Sequence, residues 1–252
     1  MKIPDGSTAY NDGERFDLSI KEVADLPFYA ELAKEYGDPI LELCCGTGRI
    51  AIPLAEKGFN VTGIDISKPF LALAKKKAKA AKVDIEWVYG DIRDFSLHRK
   101  FRLILIPFNS VAHVITVEDF RSMMACIKRH LTADGRLVIS YFNPNLETLL
   151  RDPNQRWKKK EYFDTRVQAT IAVTESSSYD QKTQVNHVTR YFRNTVTNEE
   201  TTDELFARIY FPMELEALIT GSGFEFEHTY GGYHHEPFTS TSQLHINICR
   251  KR

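Results

Sequence analysis

Glu42-Leu43-Cys44-Cys45-Gly46-Thr47-Gly48-Arg49 closes the apolar run Ile40 to Cys44 and opens a helical pattern. Glycine is needed at such a turn for two reasons: the backbone angles are costly for other residues, and a ligand must approach the main chain closely. Four further apolar runs follow: Val61 to Asp65, Ile85 to Tyr89, Leu103 to Pro107 and Leu137 to Phe142. They are brief and continuous, as strands buried on both faces are. Helical patterns separate them. Ser67 caps one that runs through Lys68-Pro69 to about Ala81, and Thr116 caps another that puts Phe120, Met123, Met124, Ile127 and Leu131 on one face. Pro53 predicts a local kink in the first helix after the glycine turn. Strand, helix, strand in this rhythm predicts an α/β fold: a doubly wound, mostly parallel sheet with right-handed crossovers.

The rhythm breaks after Asn143-Pro144-Asn145. Alternating segments (Val167 to Val173, Val185 to Phe192, Leu205 to Phe211) with polar turns such as Ser176-Ser177-Ser178-Tyr179-Asp180 predict a small antiparallel sheet. A helix from Pro212, stopped by Gly221 and Gly223, and two last strands, Phe224 to Tyr230 and Leu244 to Arg250, complete the pattern. The expected division is a core of residues 1–144 and 212–252 with a lid subdomain at 145–211.

Composition bounds the function. With 33 basic and 34 acidic side chains the formal charge is −1, so no global positive field recruits nucleic acid or an anionic membrane. The four cysteines at 44, 45, 126 and 249 lack zinc or disulfide spacing, no metal is expected, and no stretch approaches the ~18 apolar residues of a membrane span. A cytoplasmic monomer or homodimer is the expectation.

The glycine turn alone leaves the ligand open, because Gly46-x-Gly48-x-x-Ala51 also satisfies the loose dinucleotide fingerprint of nicotinamide enzymes. Two acidic sites narrow it. Asp65 ends the second strand, where a carboxylate accepts both ribose hydroxyls, and Asp91 in Gly90-Asp91-Ile92 is placed to accept from an adenine amino group. A nicotinamide dinucleotide also needs its pyrophosphate on the helix N-terminus, whereas S-adenosylmethionine offers an ammonium, which Glu42 suits. Glu42-x-Cys44-x-Gly46-x-Gly48 resembles the acidic glycine-rich motif of class I S-adenosylmethionine-dependent methyltransferases, with Cys44 in the first glycine position. Gly63-Ile64-Asp65-Ile66-Ser67 resembles that family's ribose site and Gly90-Asp91-Ile92 its adenine site. The resemblance implies a seven-stranded sheet with strand 7 antiparallel, a small antiparallel β lid after strand 5, and cofactor contacts at Tyr10, Glu42, Cys44, Gly46, Gly48, Asp65, Ile66, Asp91, Ile92, Pro107 and Phe108.

Ligands of an open parallel sheet bind outside the carboxyl ends of its strands. Three segments are expected there: the loop Phe108 to His113, the antiparallel insertion, and the loop Gly231 to Pro237. The lid is similar to that of glycine-type and amino-sugar N-methyltransferases, which implies a small-molecule acceptor with N-methylation favoured, and an N-terminal segment closing over the cofactor through Tyr10 and Phe16. His113 is the expected general base, since its unperturbed pKa lies near neutrality, with Asn109, Tyr233 and His234 as substrate contacts. The alternatives are distinct. Arg156-Trp157-Lys158-Lys159-Lys160 would serve an RNA methyltransferase by stacking a base amid phosphate contacts, a nicotinamide oxidoreductase would use the same turn, and a non-catalytic module would bind without turnover. Lys75, Lys76, Lys77, Lys79 and Lys82 are read as a solvated helix face.

Overall fold

The structure is a computed structural model that describes residues 7–20 and 24–252. Two short helices, α1 (Gly13–Ser19) and α2 (Leu26–Tyr36), precede the first strand. The core then alternates β1 (Ile40–Leu43), α3 (Ala51–Glu56), β2 (Val61–Asp65), α4 (Lys68–Ala81), β3 (Glu86–Tyr89), β4 (Phe101–Ile106), α5 (Val117–His130) and β5 (Leu131–Phe142). After α6 (Leu146–Leu149) come four strands, β6 (Trp157–Asp164), β7 (Ala169–Asp180), β8 (Val185–Asn194) and β9 (Glu200–Arg208). The chain returns to the core through α7 (Pro212–Gly221), β10 (Phe224–Tyr230) and β11 (Leu244–Lys251).

The main sheet has seven strands in the order β10-β11-β5-β4-β1-β2-β3. β11 runs antiparallel to both neighbours and the remaining pairs are parallel. Every residue of β1 and β2 is buried, and both read as mainly apolar runs in which Glu42, Thr62 and Asp65 are the buried polar exceptions. Apolar clusters cover the two faces: α5 and α7 supply Phe120, Met123, Met124, Ile127, Leu215 and Ile219 on one side, and α2 and α3 supply Phe28, Leu32, Ile52 and Leu54 on the other. The expected α/β fold with an antiparallel strand 7 is therefore observed. Ser67 and Thr116 cap α4 and α5, each accepting from the main chain three residues on.

Four local expectations are corrected. Pro53 does not break the helix: α3 runs as a single short helix through it, and Pro53 removes only the one bond that would lie between those of Ile52 N–H to Gly48 and Leu54 N–H to Ile50. Ser176 to Asp180 is not a turn but the outer half of β7, paired residue by residue with Val185 to Thr189 of β8. Its serines belong to a lid strand that is only half-buried, so the sequence there carries no apolar run. Val167 lies outside any strand, in the exposed turn before β7. Finally, Arg156 to Lys160 does not form one basic face, because its residues run into β6 and are divided among neighbours. Arg156 lies over Tyr191 and pairs with Glu200, Lys158 pairs with Glu161, Lys159 with Glu175, and the Trp157 ring is covered by Arg151. One face of the Trp157 indole is thus taken by Arg151.

Candidate active site

The strand-to-helix turn after β1 sits at the carboxyl edge of the sheet with unusual backbone angles. Cys44 has φ 57°, Gly46 φ 58° and Gly48 φ 79°. Left-handed geometry costs a non-glycine residue ~1–2 kcal/mol, so Cys44 holds a conformation that glycine adopts freely. Gly48 is fixed by space as well: a Cβ there would lie 2.8 Å from Trp87 and 2.9 Å from Ile52. The Gly46 N–H donates to Asp65 Oδ2 at 2.7 Å, and the Ser67 N–H donates to Asp65 Oδ1 at 2.7 Å. Burial raises the Asp65 pKa against these main-chain donors. Each oxygen keeps a further lone pair for a hydroxyl.

Glu42 is the unsatisfied member of the site. Its side chain is 2% exposed, and its Oε2 has no hydrogen-bond partner among the described residues. Burial pushes its pKa up to about 8, with Arg49 pulling the other way. A buried, unpaired carboxylate oxygen facing a cavity is a position for a cation. Arg49 itself is held by a bidentate pair with Asp25 (2.6 and 2.7 Å) and lies 4.8 Å from the Phe108 ring centroid. That ring belongs to a strained corner: Phe108 and Asn109 both have positive φ, and their N–H groups donate to the hydroxyl and carbonyl of Ser140.

Beyond this corner, His113 is half-buried with its Nε2 2.6 Å from the Tyr10 hydroxyl. Burial drives the His113 pKa down to about 4, the main chain at Phe206 resists, and Arg190 adds to the fall. The imidazole is thus neutral at pH 7, and the expectation of a group titrating near neutrality is corrected by its burial. With Nδ1 carrying the proton, Nε2 accepts from Tyr10. Tyr10 is placed by its carbonyl, which accepts from Ser67 Oγ, and by edge contacts of its ring with Phe70 and His113.

One cavity of about 560 Å³ joins these parts. It is lined by Tyr10, Glu42, Cys44, Gly46, Asp65, Ile66, Pro107, Phe108, Asn109 and His113, so ten of the expected site residues meet. Five do not. Gly48 shapes the turn from behind, Ile92 is packed in the core, and Asp91 is held by Arg93, whose guanidinium and main-chain N–H both donate to it. Burial opposes ionisation of Asp91, yet these bonds keep its carboxyl below its ordinary pKa. Tyr233 and His234 do not line this cavity. The loop after β10 folds back over α2, where Tyr233 packs on Phe28 and Tyr29, and the exposed His234 donates its N–H to Glu236. Its starting strand lies at the outer edge of the sheet, away from β1.

The lid supplies the opposite wall. Asn186, Val188, Arg190 and Phe192 of β8 line the cavity with Asp203, Leu205 and Ala207 of β9, alternate residues that share one face of a pleated sheet. Helix α1 ties lid to turn: Leu18 packs on the lid cluster, and Asp17 accepts from Thr47 and Lys77. Arg49, Asp25 and Arg190 were not among the expected site residues. Arg49 stood in the glycine stretch, and the alternation from Val185 to Phe192 put Arg190 on an inward face. Asp25 had no signal. Among the described residues no group of three His, Cys, Asp or Glu side chains converges to hold a metal ion.

Comparison with known proteins bears on this geometry directly, since residues 40–135 match the family described as a methyltransferase domain. Residues 40–135 are a methyltransferase domain. The resemblance read from the glycine stretch is borne out, and the nicotinamide reading of the turn gives way. Over 119 residues the chain is 29% identical to the dTDP-3-amino-3,6-dideoxy-alpha-D-glucopyranose N,N-dimethyltransferase of Streptomyces fradiae, covering 47% of this chain and 45% of that one. Over 141 residues it is 32% identical to the ubiquinone biosynthesis O-methyltransferase of Rickettsia conorii, covering 54% and 47%. The chain spans about half the length of the curated relatives it matches. The fold extends further than the sequence: the CcbJ methyltransferase from Streptomyces caelestis superposes with a TM-score of 0.80 at 21% identity, over 92% of this chain and 97% of that one. The methyltransferase domain thus carries its lid in a shared architecture. No helix among the described residues is long and apolar enough to cross a membrane.

Proposed function

We propose that the chain transfers a methyl group from S-adenosylmethionine to the nitrogen of a small-molecule acceptor, in the cytoplasm, as a monomer or homodimer. The observation that carries this reading is the single cavity running from Glu42 and Asp65 to the neutral Tyr10–His113 pair under the lid. At one end, Asp65 accepts the ribose hydroxyls, Glu42 the ammonium, and the Cys44 to Gly46 main chain lets the ligand approach; Ile66, Pro107 and Phe108 flank it. When bound, the cofactor supplies a methyl group activated on a sulfonium.

The protein's task is then to orient an acceptor lone pair and exclude water. An ammonium has no lone pair, so the acceptor must enter as a free amine. Arg190, whose charge helps lower the His113 pKa, disfavours an ammonium near it in the same way. The amine N–H donates to the Tyr10 oxygen, and Tyr10 donates to His113, which orients the hydroxyl. The surplus proton that the acceptor nitrogen would carry after methylation would pass toward this pair or to water. Relatives named as amino-sugar N,N-dimethyltransferases support nitrogen as the acceptor.

Calorimetry with S-adenosylmethionine and S-adenosylhomocysteine, followed by methyl transfer from labelled cofactor into a metabolite extract, tests the proposal. Saturable binding and N-methylated products are expected. Folded protein that binds neither compound would end it.

A further inference from the structure

We infer that the methyl acceptor carries an anionic group, a carboxylate or a phosphate, that seats on Lys160 at the lid wall of the cavity. This rests on the proposed methyl transfer to a small amine and names its substrate class.

Lys160 lines the cavity because of an irregularity in β6. Trp157 pairs with Glu175 and Lys160 with Val173, so three residues of β6 advance against two of β7. In regular pairing Lys159 would take the inward place and Lys160 would face out; the bulge re-aims Lys160 onto the face shared with Val173, Arg190 and Phe192. Bulges of this kind recur beside active sites because they redirect a side chain.

The surrounding charges are already spoken for. Glu175, Arg190 and Asp203 form a cross-strand row, Arg190 holding Asp203 at 2.7 and 3.0 Å. Lys159 pairs with Glu175 at one end of the row and Arg15 approaches Asp203 at the other. Asp12, on the same wall, is shared between Arg15 and Arg166. Lys160 lies beside this row and makes no ion pair among the described residues. Its Nζ donates to the Ser19 carbonyl at 2.7 Å. An ammonium has three donors, so two remain for a ligand. Burial lowers the Lys160 pKa, Arg190 and Lys159 lower it further, and Glu175 pulls the other way without reversing the fall. An anion here gains the two free Lys160 donors and relieves the crowding of like charge.

The same arrangement orients the acceptor. Arg190 interacts electrostatically with both Lys160 and His113, and all three line the same cavity as Tyr10. An acceptor fixed by its anion at Lys160 has its amine directed toward Tyr10. Apolar Val173, Val188 and Leu205 line the cavity on this side.

The test uses the full chain saturated with S-adenosylhomocysteine, whose own binding isotherm reports on the methyltransferase reading. Inorganic phosphate and acetate are then titrated calorimetrically into wild-type protein, Lys160→Gln and Lys160→Arg. Saturable binding of either anion to wild type, weakened at least tenfold in Lys160→Gln and retained within about threefold in Lys160→Arg, is expected. Phosphate alone would identify a phosphorylated amine and acetate alone an amino acid. Saturable S-adenosylhomocysteine binding with no anion binding, or anion binding unchanged in Lys160→Gln, overturns the inference and leaves the methyltransferase reading standing. Thermal melts of both variants within a few degrees of wild type show that the fold is kept.

Discussion

Replacing Glu42 by glutamine separates the two forms of this buried carboxyl, because glutamine copies its neutral shape and cannot ionise. Burial holds Glu42 at about 8 in the folded protein against an ordinary 4.5. A folded-state pKa raised in this way favours the protonated form. The stability it contributes is fully present below the unfolded value and is lost as pH rises through the folded one. Within that window the loss approaches about 1.4 kcal/mol per pH unit, and integration between about pH 6 and pH 8 gives roughly 2 kcal/mol. Urea unfolding of ligand-free wild type and Glu42→Gln at both pH values measures this, since titrations common to the two proteins cancel in the difference. The variant should gain on wild type by roughly 2 kcal/mol over the interval. A difference constant to within about 0.5 kcal/mol would refute the argument that Glu42 is a buried acid with one unpartnered oxygen. S-adenosylhomocysteine supplies the second half of the test. Its ammonium gives the ionised carboxylate a partner, so wild-type binding should tighten with pH up to about 8, approaching tenfold per unit at the acid end, and binding to the variant should lose that dependence.

Four further outcomes follow from the geometry. Gly48→Ala places a methyl group against Trp87 and Ile52 at a positive φ, so chemical denaturation should show a loss of about 2–4 kcal/mol, whereas Gly46→Ala, whose Cβ meets only Phe70 at 3.6 Å, should cost about 1–2 kcal/mol. Cys44→Gly relieves a left-handed conformation and should leave cofactor affinity within about threefold of wild type, while the β-branched Cys44→Val should lose more than about 1 kcal/mol of stability. Tyr10→Phe removes the hydroxyl bonded to His113 and should lower kcat by about 10–100-fold with cofactor Kd little changed, read by single-turnover methyl transfer and calorimetry. With cofactor saturating, kcat should show no acid limb between pH 5.5 and 7.5 attributable to His113, since burial holds it near 4; a limb at 6.5 that disappears in His113→Asn would contradict this.

The donor half of the site was legible because its chemistry is local. Glu42, Cys44 and Gly46 lie within five residues of one another, and Asp65 ends the neighbouring strand, so apolar runs and one turn were enough to bring them together. The acceptor half depends on pairings that a linear pattern does not carry. β6 was missed because its first residues are cationic, and the bulge that turns Lys160 inward is a property of two strands rather than one. Asp25 and Arg49 are 24 residues apart in a helix cap and a turn, with nothing periodic linking them. Tyr233 and His234 were placed by the rule for loops at strand ends, which misses how an edge strand lets its loop fall onto α2.

The alternation along β8 and β9 has an evolutionary corollary. Positions 186, 188, 190 and 192, with 203, 205 and 207, line the cavity, while the methyltransferase domain proper is assembled from a different sheet. Substitutions on that inward face can therefore retune which molecule is accepted without disturbing the donor pocket, much as a tool keeps its handle while the bit is exchanged. Sequence drift should concentrate in the lid and spare the turn. Curated relatives that align over only about half of this chain, alongside a solved structure that superposes over 92% of it, have the profile such modular divergence leaves behind.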